Sequence, residues 1–265
     1  MKIADISSFL ETLAPLAFQE DYDNCGLLLG NAEDDCRGIL ISLDTTEAII
    51  SEAVQKSCNL VISHHPLIFR GLRQVNPRTA TGRTVMAAIQ KQVAVCAIHT
   101  NLDNVLTGVN GAIADKLGLM NRRLLLPKPA QIRAGIVPGS GLFGELPESL
   151  SEKQFLELLQ AQFRIPVIRH SMLTGKPVRR VALCGGAGSF MITNALHEGA
   201  DFFVTSDIRY HEFFEAEGRL VITDIGHYES EQFTQDLLHD AILKKFPNFA
   251  VLKAGAATNP VHYYL

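Results

Sequence analysis

The sequence has no apolar run long enough to cross a bilayer, no tandem repeat, no low-complexity tract and no cysteine pairing pattern. Each absence removes a class of protein. Without a spanning run, a helical membrane protein is excluded; without repeats, so are solenoids and propellers. The five cysteines, Cys25, Cys36, Cys58, Cys96 and Cys184, are odd in number and scattered, and Cys96 and Cys184 sit in apolar, strand-like runs. They read as reduced thiols of a cytoplasmic protein. Nor is there an excess of positive charge: the formal net charge is -4, so the overall balance gives no reason to expect nucleic acid or an anionic membrane as a partner. The pairs Arg122-Arg123 and Arg179-Arg180 read as solvated surface. The N-terminus lacks the pattern of a signal peptide; Ile6, Phe9, Leu10 and Leu13 recur at helical spacing and predict an amphipathic first helix.

At 265 residues and 47% hydrophobic, the chain can bury one large core or two modest ones. Apolar strands alternate with helical stretches: strand 38–43, helix 45–56, strand 59–63, helix 82–91, strand 93–98. This is the rhythm of a largely parallel sheet covered on both faces. Leu124-Leu125-Leu126-Pro127-Lys128-Pro129 marks a boundary, after which helix 151–163, strand 178–184, a glycine-rich turn at 185–189, helix 190–198 and strands 202–205 and 220–224 are expected. A last helix carries Phe233, Leu237, Leu238 and Ile242, and is expected to return to the first lobe. The fold class is α/β.

Ligands of open α/β sheets bind beyond the carboxyl ends of strands, and three predicted strand ends here deliver histidine with or near a carboxylate. Ser63-His64-His65-Pro66 follows the first. Neighbouring side chains on extended backbone diverge, so His64 and His65 suit two ions better than one. His99-Thr100-Asn101-Leu102-Asp103 follows the second; it is either a turn whose polar groups satisfy local backbone or a source of the ligand Asp103, with His99 a ligand, a partner of a ligand or a proton carrier. His227 and Glu231 follow the third. Four residues apart, they share one helix face and can meet one ion; read alone they are a capping turn with Ser230 as N-cap. Gly185-Gly186-Ala187-Gly188-Ser189 is a tight turn or a phosphate cradle, although the Lys-Ser/Thr ending of a P-loop is missing. Asp207 and His211 form a further pair that can line a pocket or orient ligands. His170, His197, His239 and His262 read as surface or packing residues.

Together with Asp23-Asn24-Cys25-Gly26-Leu27 and Ser206-Asp207-Ile208-Arg209-Tyr210-His211, these motifs run through nearly the whole chain, and in that order the sequence resembles the Nif-three-like family, often labelled GTP cyclohydrolase 1 type 2. The resemblance implies two interlocked α/β lobes, here 1–125 completed by about 225–265, and 126–224. The 124–131 connection is too short to hold the extra domain that some relatives carry there. It also implies a dinuclear metal centre on His64, His65, Asp103, His227 and Glu231, and a ring-shaped homohexamer built as a trimer of dimers. Protein partners are described for the family. The donor set suits iron, manganese or zinc better than magnesium. Two such ions favour metal-assisted hydrolysis, with His99 or His211 moving protons and a small molecule, possibly a nucleotide such as GTP, as substrate. A metal-dependent phosphoesterase and a non-catalytic metal-binding scaffold are the alternatives.

Overall fold

The computed structural model describes residues 1–264. In chain order it begins with α1 (Ile3–Leu13), β1 (Gly26–Leu29), β2 (Ile39–Ser42), α2 (Glu47–Gln55), β3 (Leu60–Ser63), α3 (Ala80–Gln90), β4 (Ala94–Ala97) and α4 (Thr100–Asp103). Next come α5 (Val109–Lys116), β5 (Met120–Pro127), β6 (Gly139–Leu150), α6 (Glu152–Phe163), β7 (Arg169–His170), β8 (Val178–Ala187), α7 (Ile192–His197) and β9 (Phe202–Ser206). The chain closes with β10 (Val221–Asp224), α8 (His227–Glu231), α9 (Thr234–Lys245) and β11 (Val251–Lys253). Two compact units result: residues 1–102 with 234–262, and residues 103–233 with Tyr263 and Tyr264. The architecture is α/β with largely parallel sheets, and no helix among the described residues is long and apolar enough to cross a membrane.

In the first unit the sheet order is β1-β4-β3-β2-β11. Strands β4, β3, β2 and β11 run parallel, and β1 is an antiparallel edge. Every residue of β2, β3 and β4 is buried, which is why these strands read as unbroken apolar runs. Thr46 caps α2 by accepting the Ile49 N–H at 3.3 Å, and Ile49, Ile50 and Ala53 then pack with Leu40, Val61 and Val95. The last part of the chain returns here: β11 pairs with β2, Val251 opposite Ile39. Glu52 of α2 holds the segment that follows, accepting the Gly255 and Ala256 N–H groups at 2.7 and 3.1 Å.

The second unit has a six-stranded sheet, β5-β6-β8-β9-β10-β7. Its centre, β8-β9-β10, is parallel, while β5, β6 and β7 pair antiparallel. The proline-marked segment 124–131 begins inside β5, and residues 128–138 connect β5 to β6. Both strands lack a clean strand signature: β5 is mostly exposed, and β6 contains Gly139, Gly141, Gly144 and Pro147. The glycine-rich segment after the expected strand 178–184 also differs from a simple turn, since β8 continues through Ala187 with a register shift after Leu183. The last helix is split: α8 ends at Glu231 and α9 begins at Thr234, where the chain passes between units.

Helix α6 begins as its sequence demands. Ser151 Oγ accepts the Gln154 N–H, and the Gln154 side chain accepts the Ser151 N–H in return, a reciprocal cap that satisfies otherwise orphaned donors. Glu152, buried at the first helical position, accepts the Thr174 N–H at 2.7 Å, the Thr174 hydroxyl at 2.9 Å and the Gly175 N–H at 3.0 Å. Hydrogen bonds to a charged group contribute about 1.5–3 kcal/mol net. Glu152→Ala should therefore lower stability by about 2 kcal/mol, read as a lower urea midpoint at unchanged slope; an unchanged midpoint would show that this carboxylate does not hold the 174–175 turn.

Candidate metal centre

In the first unit, three adjacent parallel strands end side by side, Ser42 opposite Ser63 and Ser63 opposite Ala97. The residues just beyond them are Asp44, the pair His64-His65, and His99. The strand order therefore brings together side chains far apart in sequence. His64 is fully buried, and His65 and His99 are mostly so. Ring centroids lie 5.0 Å apart for His64 and His65, 5.1 Å for His64 and His99, and 5.3 Å for His65 and His99. Their ligating nitrogens all fall within 4.8 Å of one another, so the three can hold one metal ion.

That proximity modifies the expected divergence of His64 and His65. Strand β3 ends at Ser63, whose hydroxyl donates to the His65 carbonyl at 2.8 Å. The backbone curls there instead of continuing the pleat, and the two rings stay together.

The orientation of each ring is fixed from behind. His64 Nδ1 lies 2.9 Å from the Ile98 carbonyl, which can only accept, so Nδ1 carries the proton and Nε2 the lone pair. His65 Nδ1 meets Asp44 Oδ1 at 2.8 Å, and Thr258 donates to the other oxygen of Asp44 at 2.7 Å. His99 Nδ1 meets Asp23 Oδ1 at 2.9 Å. The Asp23 side chain is inaccessible to solvent. Burial alone would raise its pKa, but hydrogen bonds from His99, Thr100 and the Asn24 backbone outweigh it and hold the carboxyl well below the usual range. An ionised Asp23 accepts, which leaves His99 Nε2 as the open nitrogen. A histidine whose second nitrogen is held by a carboxylate or carbonyl is the common arrangement of a metal ligand.

The second unit repeats the logic at the ends of β8, β9 and β10. His227 opens α8, and its Nε2 lies 3.1 Å from Glu231 Oε2. Ligands about 2.0–2.2 Å from one ion stand roughly 3 Å apart, so this spacing suits a shared ion. The helical pairing expected of His227 and Glu231 is therefore present, whereas Ser230 is not an N-cap; Gly226 takes that position. Ser230 instead accepts the Gly186 N–H at 2.9 Å and donates to the His227 carbonyl at 2.8 Å. Asp207, which follows β9 at φ +56°, meets His227 Nδ1 at 2.7 Å. Burial would lower the His227 pKa, but Glu231 and Asp207 together push it up to about 9.

Asp103 ends α4, and its carbonyl accepts the Asn110 amide at 3.0 Å. The same Asn110 accepts the Gly185 N–H at 2.9 Å. Burial, with the charges of Asp103 and Glu231, pushes the Cys184 thiol up. The Gly185 and Gly186 N–H groups are both bonded within the protein, which removes them from a phosphate cradle. Gly186 matters instead for the room it leaves, since a Cβ there would stand 2.3 Å from Glu231 Oε1, at φ +63°. The glycine is the space in which the Glu231 carboxylate lies.

His211 lies exposed on the 3-10 turn Tyr210–Ala216, its ring 5.1 Å from Tyr210 and 6.5 Å from Phe214. No hydrogen bond or ligand grouping among the described residues joins it to these donors. Asp44 and Asn110 are supporting residues to which the sequence pattern gave no role, and Ser230 is one to which it gave only a capping role. For Asp44 the signal is the strand end, since it ends the run before α2 as His64 and His99 follow theirs.

Taken together, fold and donors define an α/β protein of two units, one carrying the His64, His65 and His99 group that could hold a metal ion and the other the His227–Glu231 pair. The chain belongs to the Duf34/NIF3 (NGG1p interacting factor 3) family, whose model matches residues 1–260. It is 32% identical over 233 residues to a GTP cyclohydrolase 1 type 2 homolog of Clostridium perfringens, covering 87% of each chain. A protein of the same description from Campylobacter jejuni is 30% identical over 271 residues, with both chains fully covered. The crystal structure of Staphylococcus aureus protein SA1388 superimposes with a TM-score of 0.90 at 27% identity, covering 100% of this chain and 99% of that one.

The Gly186 contact yields a test. Gly186→Ala should cost about 1–3 kcal/mol of stability for the left-handed backbone, and should lower metal uptake as well by displacing Glu231. Gly175→Ala is the control, since φ there is +73° and nothing lies within 4 Å of the added methyl. Metal content of the two refolded variants, by plasma mass spectrometry, should fall only for Gly186→Ala; an equal content would remove Glu231 from the site.

Proposed function

We propose that this protein is a dinuclear metal-dependent hydrolase that opens the guanine ring of GTP with release of formate. The observation that carries the metal half is the commitment of Nδ1 in His64, His65 and His227 to Ile98, Asp44 and Asp207. The substrate half is supported by the description of the relatives as GTP cyclohydrolase 1 type 2 homologs. In this reading His64, His65, Asp103, His227 and Glu231 hold two divalent ions per chain, and the mixed nitrogen and oxygen donors favour iron, manganese or zinc. Two ions so held supply a lowered water pKa and stabilise charge on the attacked group.

The chain's own residues do the rest. Asp23 keeps His99 in the tautomer with Nε2 as proton acceptor and stabilises the cation once a proton arrives. Asp103 and Glu231 supply the negative charge that lets two dications stay close. The same reading includes a cytoplasmic homohexamer, a trimer of dimers, which rests on the family resemblance.

Purified protein should carry close to two transition-metal ions per chain, and His64→Ala or Glu231→Ala should lower that number without unfolding it. Incubating metal-replete protein with GTP should release formate, seen by mass spectrometry, with Glu231→Ala as the inactive control; phosphate release in place of formate would replace the cyclohydrolase reading by a phosphoesterase. His99→Ala should reduce turnover more than metal content, whereas Asp103→Ala should reduce both. Equal metal loss in the two variants would make His99 a ligand.

A further inference from the structure

Between Glu52 and Asp103 the sequence contains no acidic residue, although the chain carries 28 acidic against 24 Lys and Arg side chains. That stretch includes His64, His65 and His99. Its cations are Lys56, Arg70, Arg73, Arg78, Arg83 and Lys91. Lys56 pairs with Glu52 at 2.6 Å, and Arg83 with Glu47 at 2.8 Å. Arg70, Arg73 and Arg78 lie exposed on the 66–79 segment, and no ion pair among the described residues neutralises their guanidinium groups. Positive charge is thus concentrated on one loop of an acidic protein.

The root of this loop is fixed beside the group of His64, His65 and His99. The Phe69 ring stands edge-on to His99, with centroids 5.3 Å apart, and Asn24 donates to the Ile68 carbonyl at 2.6 Å. Asn24 neighbours Asp23, the carboxylate that orients His99. Arg70 therefore follows directly on a residue packed against the site. At the far end, Arg78 precedes Thr79, whose hydroxyl accepts the Gly82 N–H at 3.0 Å and caps α3; the positive end of that helix dipole adds to the charge of the loop. Phe69, Leu72 and Val75 are also well exposed, at 45%, 39% and 49%, so apolar groups alternate with the arginines.

We infer that the 66–79 segment recognises the phosphate groups of a phosphorylated small molecule whose reacting part lies at His64, His65 and His99. This rests on the hydrolase reading and adds the part of the ligand that does not react. Guanidinium groups are permanently charged and bind phosphate through paired N–H donors. Three of them, flanked by exposed apolar side chains, match a compact polyanion with an apolar body. A nucleic acid needs a longer cationic track, and the net charge of -4 opposes one.

The test uses inorganic triphosphate as the probe, with calorimetry on the full chain in metal-loaded and chelator-stripped forms. The wild type should bind triphosphate in both. The triple variant Arg70→Gln, Arg73→Gln, Arg78→Gln should bind at least about tenfold more weakly in both, with unchanged metal content and melting temperature. Stripped protein separates the arginines from the ions, so a failure of the metal reading leaves this comparison intact. Three results would overturn the inference: no triphosphate binding by the wild type, equal affinity in the triple variant, or a changed oligomeric state in that variant with affinity retained, which would make the loop a contact between copies. A short single-stranded oligonucleotide that binds more tightly than triphosphate, and loses affinity in the triple variant, would assign the loop to nucleic acid instead.

Discussion

The donor groups of both units depend on one constraint: each imidazole has its rear nitrogen bound to an oxygen that accepts. A free imidazole can present either nitrogen and can rotate, and metal affinity suffers from both freedoms. Here the Ile98 carbonyl and the carboxylates of Asp44, Asp23 and Asp207 remove the choice. The pattern uses four oxygens to aim four rings, and it also accounts for the burial of Asp23. An isolated buried carboxylate is costly, but Asp23 is met by His99, by Thr100 and by the Asn24 N–H.

The fold delivers these partners by a single geometric rule. In each unit three adjacent parallel strands stop at the same level, and the residues beyond them converge whatever their distance in sequence. Asp44 thereby reaches His65, and Asp207 reaches His227. Glycine completes the arrangement in the second unit: because Gly186 has no side chain, β8 can pass close to α8 and leave room for Glu231. Buried apolar strands such as Leu60–Ser63 and Phe202–Ser206 provide the rigid base on which this precision rests.

Much of this was legible in the sequence. The parallel strands were visible because burial on both faces writes them as continuous apolar runs, and the histidines were visible because they follow those runs. The β5–β6 hairpin was not, since glycines, Pro147 and solvent exposure erase the alternation that marks an antiparallel strand. The joint orientation of His64 and His65 was also hidden. It depends on the Ser63 hydroxyl turning back to the His65 carbonyl, a local bond that extended-strand geometry does not foresee. The glycine-rich segment read as a tight turn or a phosphate cradle for a related reason: composition does not show that Asn110 and Ser230 occupy the Gly185 and Gly186 N–H groups. Pattern reveals which residues sit at strand ends; it does not reveal which backbone donors are already satisfied.

The central claim is that the histidines hold metal through Nε2 because their Nδ1 atoms are engaged. Anomalous diffraction at the absorption edge of the bound metal, from crystals of metal-loaded protein, measures this directly. The account predicts two anomalous peaks per chain, with the Nε2 atoms of His64, His65 and His227 about 2.0–2.2 Å from a metal. Ligation through Nδ1, or crystals of metal-loaded protein in which no peak lies at these histidines, would contradict it.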